Sequence, residues 1–346
     1  MFSTKLRNVE EELGGDFGEF AGWSMPMSYG SYLEEHLAVR NWAAFFDLSH
    51  MGRLMIRGKR AEFDYLVAKR TEDANAGKMV GPTAFLTERG TFVDDVMVYV
   101  VDGSSWLVVT NAVNREKVIN WIRRNSGLEV EDLTFDYAMI AVQGRKVWDF
   151  MEKVELQPLN FVLGKEYMGI KTFLLSRSGW TGEDGVEVWA KPEEIEHLLR
   201  FLKERGVRPA GLIARDSLRQ EMGFVLYGED IDENTTPIEA RYWVFSMEKE
   251  FLGREALKEQ LRSGVNKLRI GIKLKKGERT IPRRDSKIML EGQQVGVITS
   301  STYSPYLNRP IGMGYMNTSH FLLGYSVDVE VRGKRLEAKL SDFPLV

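Results

Sequence analysis

Hydrophobic positions change period several times along the chain, and each change marks an element. Leu6, Val9 and Leu13 recur at helical spacing, and Tyr32 to Arg40 supports a second short helix. The segment between them, Phe20 to Gly30, is dense in aromatics and turn formers and is expected to be a loop. Met51 to Arg57 alternates, which predicts a strand, and Ala61 to Arg70 reads as helix. Phe92 to Val101 and Trp106 to Thr110 read as two strands joined by a turn at Asp102-Gly103-Ser104-Ser105. A helix opens at Asn114-Arg115-Glu116-Lys117, with Val118, Trp121 and Ile122 facing inward. The rhythm returns as strands at 170–177 and 185–190, then a helix from Pro192 to Lys203.

Beyond about Asn266 the character changes. Segments 268–274, 286–291, 294–300 and 325–340 are short alternating runs, and Glu291-Gly292-Gln293-Gln294 has the composition of a hairpin turn. They predict a compact all-β C-terminal domain on a chain that is otherwise mixed, an α+β protein. Lys267 to Lys287 carries nine basic residues against two acids. Solvated strand faces account for them most simply, and the sharper reading is a dock for an acidic partner.

Composition narrows the chemistry. With 346 residues there is chain for two or three domains, and 43% hydrophobic with 28% charged residues is a soluble, globular balance. A net charge of -3 gives no overall drive toward nucleic acid or an anionic membrane. No cysteine means no disulfide, thiolate metal site or cysteine nucleophile. The four histidines lack ligand spacing, so no metal site is expected. The amino end has no apolar segment of signal type, and a cytoplasmic location is expected.

Dinucleotide and Walker fingerprints are missing, as is the Gly-x-Ser-x-Gly elbow. Asp47-Leu48-Ser49-His50 has triad residue types too close in sequence to converge, and reads as structural. Asp94 and Asp95 open an apolar strand, where alternation sends one to each face; only one can share the side of Met97 and Tyr99. Taken alone the dipeptide reads as a strand-start turn. Thr181-Gly182-Glu183-Asp184-Gly185 feeds a strand on which Glu187 lies among apolar neighbours, where a carboxylate needs a partner or a ligand. Arg215 lies near the start of a helix, against the macrodipole, and so needs an acid, a carbonyl or an anionic ligand.

Taken in order, several stretches resemble the glycine cleavage T-protein (aminomethyltransferase) family. They are Phe20-Ala21-Gly22-Trp23 with Met25-Pro26, Phe46-Asp47-Leu48-Ser49-His50-Met51-Gly52, Val93-Asp94-Asp95, and Thr181 to Glu187. Ala214-Arg215-Asp216-Ser217-Leu218-Arg219 leading to Leu226-Tyr227-Gly228 follows, then Phe251 to Leu257, and Thr299-Ser300 with Ser304-Pro305. Trp180 stands where that family usually has tyrosine, and Arg53 where an acid is common.

The resemblance implies a three-domain, cloverleaf-like fold with tetrahydrofolate in a central cavity and a barrel-like C-terminal domain. The implied division is 1–50 with 137–244, then 51–136 with 245–265, then 266–346. It also implies transfer of methylene from the aminomethyl-lipoyl arm of H-protein to tetrahydrofolate, with release of ammonia. Asp95 matches the catalytic carboxylate, and Glu187, Arg215, Asn111, Trp180 and Met51 match folate-contacting positions. The alternatives are a folate-dependent demethylase of a sulfonium, amine or methoxy donor, a non-catalytic folate-binding relative, and a scaffold that binds no folate. The non-catalytic branch carries a cysteine motif that this chain lacks.

Overall fold

The computed structural model describes residues 1–71 and 74–346. Among these, the strands form three open sheets and one closed barrel. The chain divides into two compact units. The first comprises Met1–Phe85, Val93–Arg215 and Val244–Leu252, and the second Leu86–Phe92, Asp216–Trp243 and Gly253–Val346. Among the described residues no helix is long and apolar enough to cross a membrane.

The first unit holds a seven-stranded sheet in the order Phe161–Leu163, Ile170–Ser176, Gly185–Ala190, Ala138–Gln143, Ala44–Asp47 and Arg208–Pro209, with Glu166–Tyr167 paired beside Ile170–Ser176. The helix Pro192–Glu204 covers one face. Its Ile195, Leu198, Leu199 and Leu202 recur at i, i+3, i+4 and i+7 and are buried against Ile140, Val142, Val186 and Val188. Each such side chain contributes roughly 1.5–3 kcal/mol of burial. Residues 138–143 form a strand although they do not alternate, because the strand is buried throughout; an uninterrupted apolar run carries no period to read.

A five-stranded sheet runs Lys78–Leu86, Phe92–Val100, Ser105–Thr110, Gly52–Arg57, Glu129–Asp132. The helix Arg115–Asn125 packs on it through Val118 and Ile122 as expected, with Trp121 partly buried. Gly52 is required by close approach: a Cβ there would lie 2.2 Å from Thr110 Oγ1.

Two expectations are corrected. Phe20 to Gly30 is not a loop but a hairpin of Asp16–Phe20 and Trp23–Ser28. Phe20 pairs with Trp23 across Ala21-Gly22, both at positive φ (53° and 78°), so the turn residues close a hairpin instead of loosening the chain. The helix expected over Ala61 to Arg70 spans Arg60–Leu66. Val67 turns extended and bridges to Phe85, so sheet pairing overrides the helical pattern.

In the second unit the barrel runs Lys267–Leu274, Arg309–Asn317, Gln293–Ser304, Lys287–Leu290, Ser326–Val331, Lys334–Ser341 and back to Lys267–Leu274. Ile270, Ile272, Leu274, Ile288, Val329 and Leu340 fill its interior. Glu291-Gly292 closes the expected hairpin, both residues at positive φ. Most of the basic stretch is solvated, Lys275, Lys276, Arg283 and Arg284 being exposed. Arg269 departs from it: its buried guanidinium donates to the carbonyls of Ala240 and Gly223 at 2.7 and 2.8 Å.

Candidate functional site

Asp94 and Asp95 lie inside the strand Phe92–Val100, not in a turn before it, which corrects the reading of the dipeptide alone. Alternation separates them. Val96, Val98 and Val100 enter the core of the five-stranded sheet, and Asp94 shares their side, fully buried. Asp95 shares the other side with Met97 and Tyr99.

Asp94 is held by the segment that follows the neighbouring strand. Asn111 donates its backbone N–H to Oδ2 at 3.0 Å and its side-chain Nδ2 to Oδ1 at 2.9 Å. Asn114 adds Nδ2 to Oδ1 at 2.6 Å. Burial, and then the charge of Asp95, raise the Asp94 carboxyl well above its ordinary value, while these donors pull it down. Asn111 Nδ2 also reaches Asp95 Oδ1 at 2.8 Å and the Asp95 carbonyl at 3.2 Å. One amide therefore joins both acids.

On the seven-stranded sheet, Val186, Val188 and Ala190 face the core, which turns Glu187 and Trp189 to the other side. Tyr99 meets both. Its ring stands edge-on to Trp189 at 5.6 Å, and its hydroxyl donates to Glu187 Oε2 at 3.4 Å. Ser178 donates to the same oxygen at 2.6 Å. Thus Glu187 has the partners that its apolar neighbours could not provide.

The turn before Glu187 is pinned from several directions. Arg40 donates to the Thr181 carbonyl at 2.7 Å and pairs with Glu183 at 3.1 Å. Arg177 and Trp148 both donate to Asp184. Gly185 brings the chain against its neighbour, where a Cβ would lie 2.1 Å from the Val142 carbonyl oxygen. Trp180 is half-buried on this turn.

Met51 follows His50 in the chain, and Arg215 lies near enough to His50 for its charge to act on the imidazole. Arg215 is half-buried on the helix Leu212–Met222. Burial first, then the charges of Arg215 and Arg53, push the His50 imidazole down to about 3, so it is neutral at pH 7. Glu35, fully buried, accepts from the Gly211 and Tyr29 N–H groups at 2.9 and 2.7 Å and ties this helix start to the hairpin end. The loop carrying Met51 is wrapped on Arg53, whose guanidinium donates to the carbonyls of Leu48, Ser49, Met51, Thr134 and Tyr137. Asp47 caps the Ser49 N–H at 2.8 Å, the structural role expected of that tetrapeptide.

Of the residues singled out from the sequence, the fold bonds Asn111 to Asp95, and Glu187 to Tyr99 and Ser178. Sequence reasoning missed Asn114, Tyr99 and Ser178 as partners. Tyr99 left one signal, its even spacing from Asp95 along a strand.

The chain matches the GCVT N-terminal domain over residues 6–249 and the glycine cleavage T-protein C-terminal barrel domain over residues 267–346. The chain belongs to the glycine cleavage T-protein family. It is 39% identical to a probable aminomethyltransferase of Aeropyrum pernix, over 99% of this chain and 96% of that one. It is 38% identical to the aminomethyltransferase of Halothermothrix orenii over the whole of both chains. The crystal structure of the glycine cleavage system aminomethyltransferase T from Bartonella henselae superposes with a TM-score of 0.91 at 29% identity, covering 99% of this chain and 98% of that one. As a member of the T-protein family the chain is a transferase, an aminomethyltransferase.

Proposed function

We propose that the chain carries the methylene group from an aminomethyl-lipoyl arm of H-protein to tetrahydrofolate, in the cytoplasm, as a step of glycine catabolism. The carbon leaves its bonds to sulfur and to the amine nitrogen and forms two to folate nitrogens. The two folate N–H protons end on the lipoyl sulfur and on the departing ammonia, so the exchange needs no oxidant. In this reading the division into 1–50 with 137–244, 51–136 with 245–265, and 266–346 follows the family.

Asp95 is the proposed catalytic carboxylate. The transferred carbon becomes iminium-like as a bond to it breaks, and a fixed carboxylate stabilises that positive charge. The same group can pass protons between folate and amine nitrogens. Glu187 and Arg215 suit the pterin edge, which presents flat N–H and C=O groups to an acceptor and a forked donor. Asn111, Trp180 and Met51 are proposed as further folate contacts. Positioning of the two reactants supplies much of the remaining rate.

One observation carries the reading: Asp95 shares a strand face with Tyr99, and Tyr99 is hydrogen-bonded to Glu187. The strand that carries the proposed reacting carboxylate thus reaches the proposed pterin anchor through Tyr99. The purified chain, given aminomethyl-lipoyl H-protein and tetrahydrofolate, is expected to release ammonia and form 5,10-methylenetetrahydrofolate stoichiometrically. Absence of turnover, together with demethylation of a sulfonium, amine or methoxy donor, would replace it with the demethylase reading.

A further inference from the structure

Asp94 and Asn114 lie one step behind the proposed catalytic group. Asp94 is turned into the core and Asn114 is buried, so neither presents its side chain on the Asp95 face of the strand. Yet both are bonded into the amide that holds Asp95. Asn111 Nδ2 has two hydrogens and three acceptors within 3.2 Å: Asp94 Oδ1, the Asp95 carbonyl and Asp95 Oδ1. Where that nitrogen settles depends on what else grips the asparagine. Its backbone N–H is fixed on Asp94 Oδ2, and Asp94 Oδ1 is fixed by Asn114.

We infer that Asp94 and Asn114 are positioning residues, which lock Asn111 so that its Nδ2 holds the Asp95 carboxylate in its working orientation. The inference rests on the reading of Asp95 given above. It explains why a strand accommodates two adjacent acids when only one can face the substrate. The acid turned into the core is the anchor of the one on the opposite face. It also separates two roles for Asn111, whose nitrogen serves the acid pair whatever its oxygen contributes to folate.

The physical case is one of geometry. A carboxylate that must meet a developing cation has to be held without reorganising during the reaction. Asn111 Nδ2 reaches both the carboxylate and the carbonyl of Asp95, so whatever fixes that amide helps to fix the carboxylate about its soft χ2. The chain from Asn114 through Asp94 and Asn111 to Asp95 lies within the strand Phe92–Val100 and residues 111–114, so the orientation is set by the backbone itself. Misplacement of a reacting group by about an ångström costs on the order of 10²-fold.

Asn114→Ala tests this, because it breaks the far end of the chain without touching the face of Asp95. The expected result is a fall in kcat of ~10-fold in the complete reaction with aminomethyl-lipoyl H-protein. The Kd for tetrahydrofolate, read by calorimetry, should stay within ~2-fold. The decisive arm is the double variant with Asp95→Asn. Once the carboxylate is gone, Asn114→Ala should lower kcat no further. Independent, multiplying losses would overturn the inference, as would an unchanged kcat in Asn114→Ala. If Asp95→Asn alone kept the full rate, the reading of Asp95 would fall first and this inference with it. Should the alanine variant not fold, Asn114→Ser, which keeps a donor of shorter reach, takes its place in the same cycle.

Discussion

At the scale of single residues, the site turns on which of two adjacent aspartates faces which way. Alternation alone separates Asp94 from Asp95, but it leaves open which faces the core. Packing decides it: Asp94 shares the side of Val96, Val98 and Val100, which enter the core of the sheet. Asp95→Asn is expected to lower kcat by ~10²–10⁴ while leaving thermal unfolding little changed, as loss of a general acid–base does. Asp94→Asn should cost less in kcat, and the reverse ordering in steady-state assays would put the chemistry on the other face. The identity of the acids was legible from the sequence. Their partners Asn111, Asn114 and Ser178 were not legible as such, because hydrogen bonds across 9 to 20 residues follow from pairing and not from local spacing.

At the scale of elements, buried guanidinium groups shape the loops. Arg53 stands on the strand Gly52–Arg57, fully buried, and donates to five backbone carbonyls in the segments 48–51 and 134–137. Burial lowers its pKa first, with Asp47 and Asp132 working against that. A lysine has one compact ammonium and cannot reach so many divergent acceptors. Arg53→Lys should therefore leave at least two carbonyls unmet, at ~1–3 kcal/mol each, and destabilise the chain by about 2–6 kcal/mol. Urea unfolding at pH 7 checks this, and an unchanged midpoint would mean that water takes over the lost bonds. The hairpin Asp16–Phe20 with Trp23–Ser28 teaches the same lesson about sequence. Ala21-Gly22 is a turn signal in the sequence, but only the pairing of Phe20 with Trp23 makes the flanks strands.

At the scale of the whole molecule, part of the family's pattern serves stability. In the second unit Asp230 is fully buried and accepts from Arg219 at 2.8 Å, Thr299 at 2.6 Å, Ser300 at 2.6 Å and the Leu226 N–H at 3.0 Å. Ser304 donates to the buried Glu221 in the same unit. Burial would raise the Asp230 carboxyl, but the Arg219 charge and these donors hold it below its ordinary value of 3.8. Its unfolded form takes up a proton more readily than its folded form. The stabilisation is therefore complete above the ordinary carboxylate range and is lost as pH falls through the depressed folded value. Asp230→Asn should cost about 3–5 kcal/mol at pH 7, since it leaves the buried Arg219 with only the partly exposed Asp216 as counter-charge. The gap to wild type should shrink below pH 3.8, and a gap independent of pH in urea titrations would remove Asp230 from this role. The sequence by itself determined the α+β class, the β-rich character of the C-terminal domain, and the residue types of the proposed site. Period, turn chemistry and ordered motifs are local and survive in one dimension. Tertiary structure alone decided which acid faces the core, which amide joins the pair, and which motif residues hold a fold together. Those choices depend on sheet register and burial, which arise only when distant segments pair.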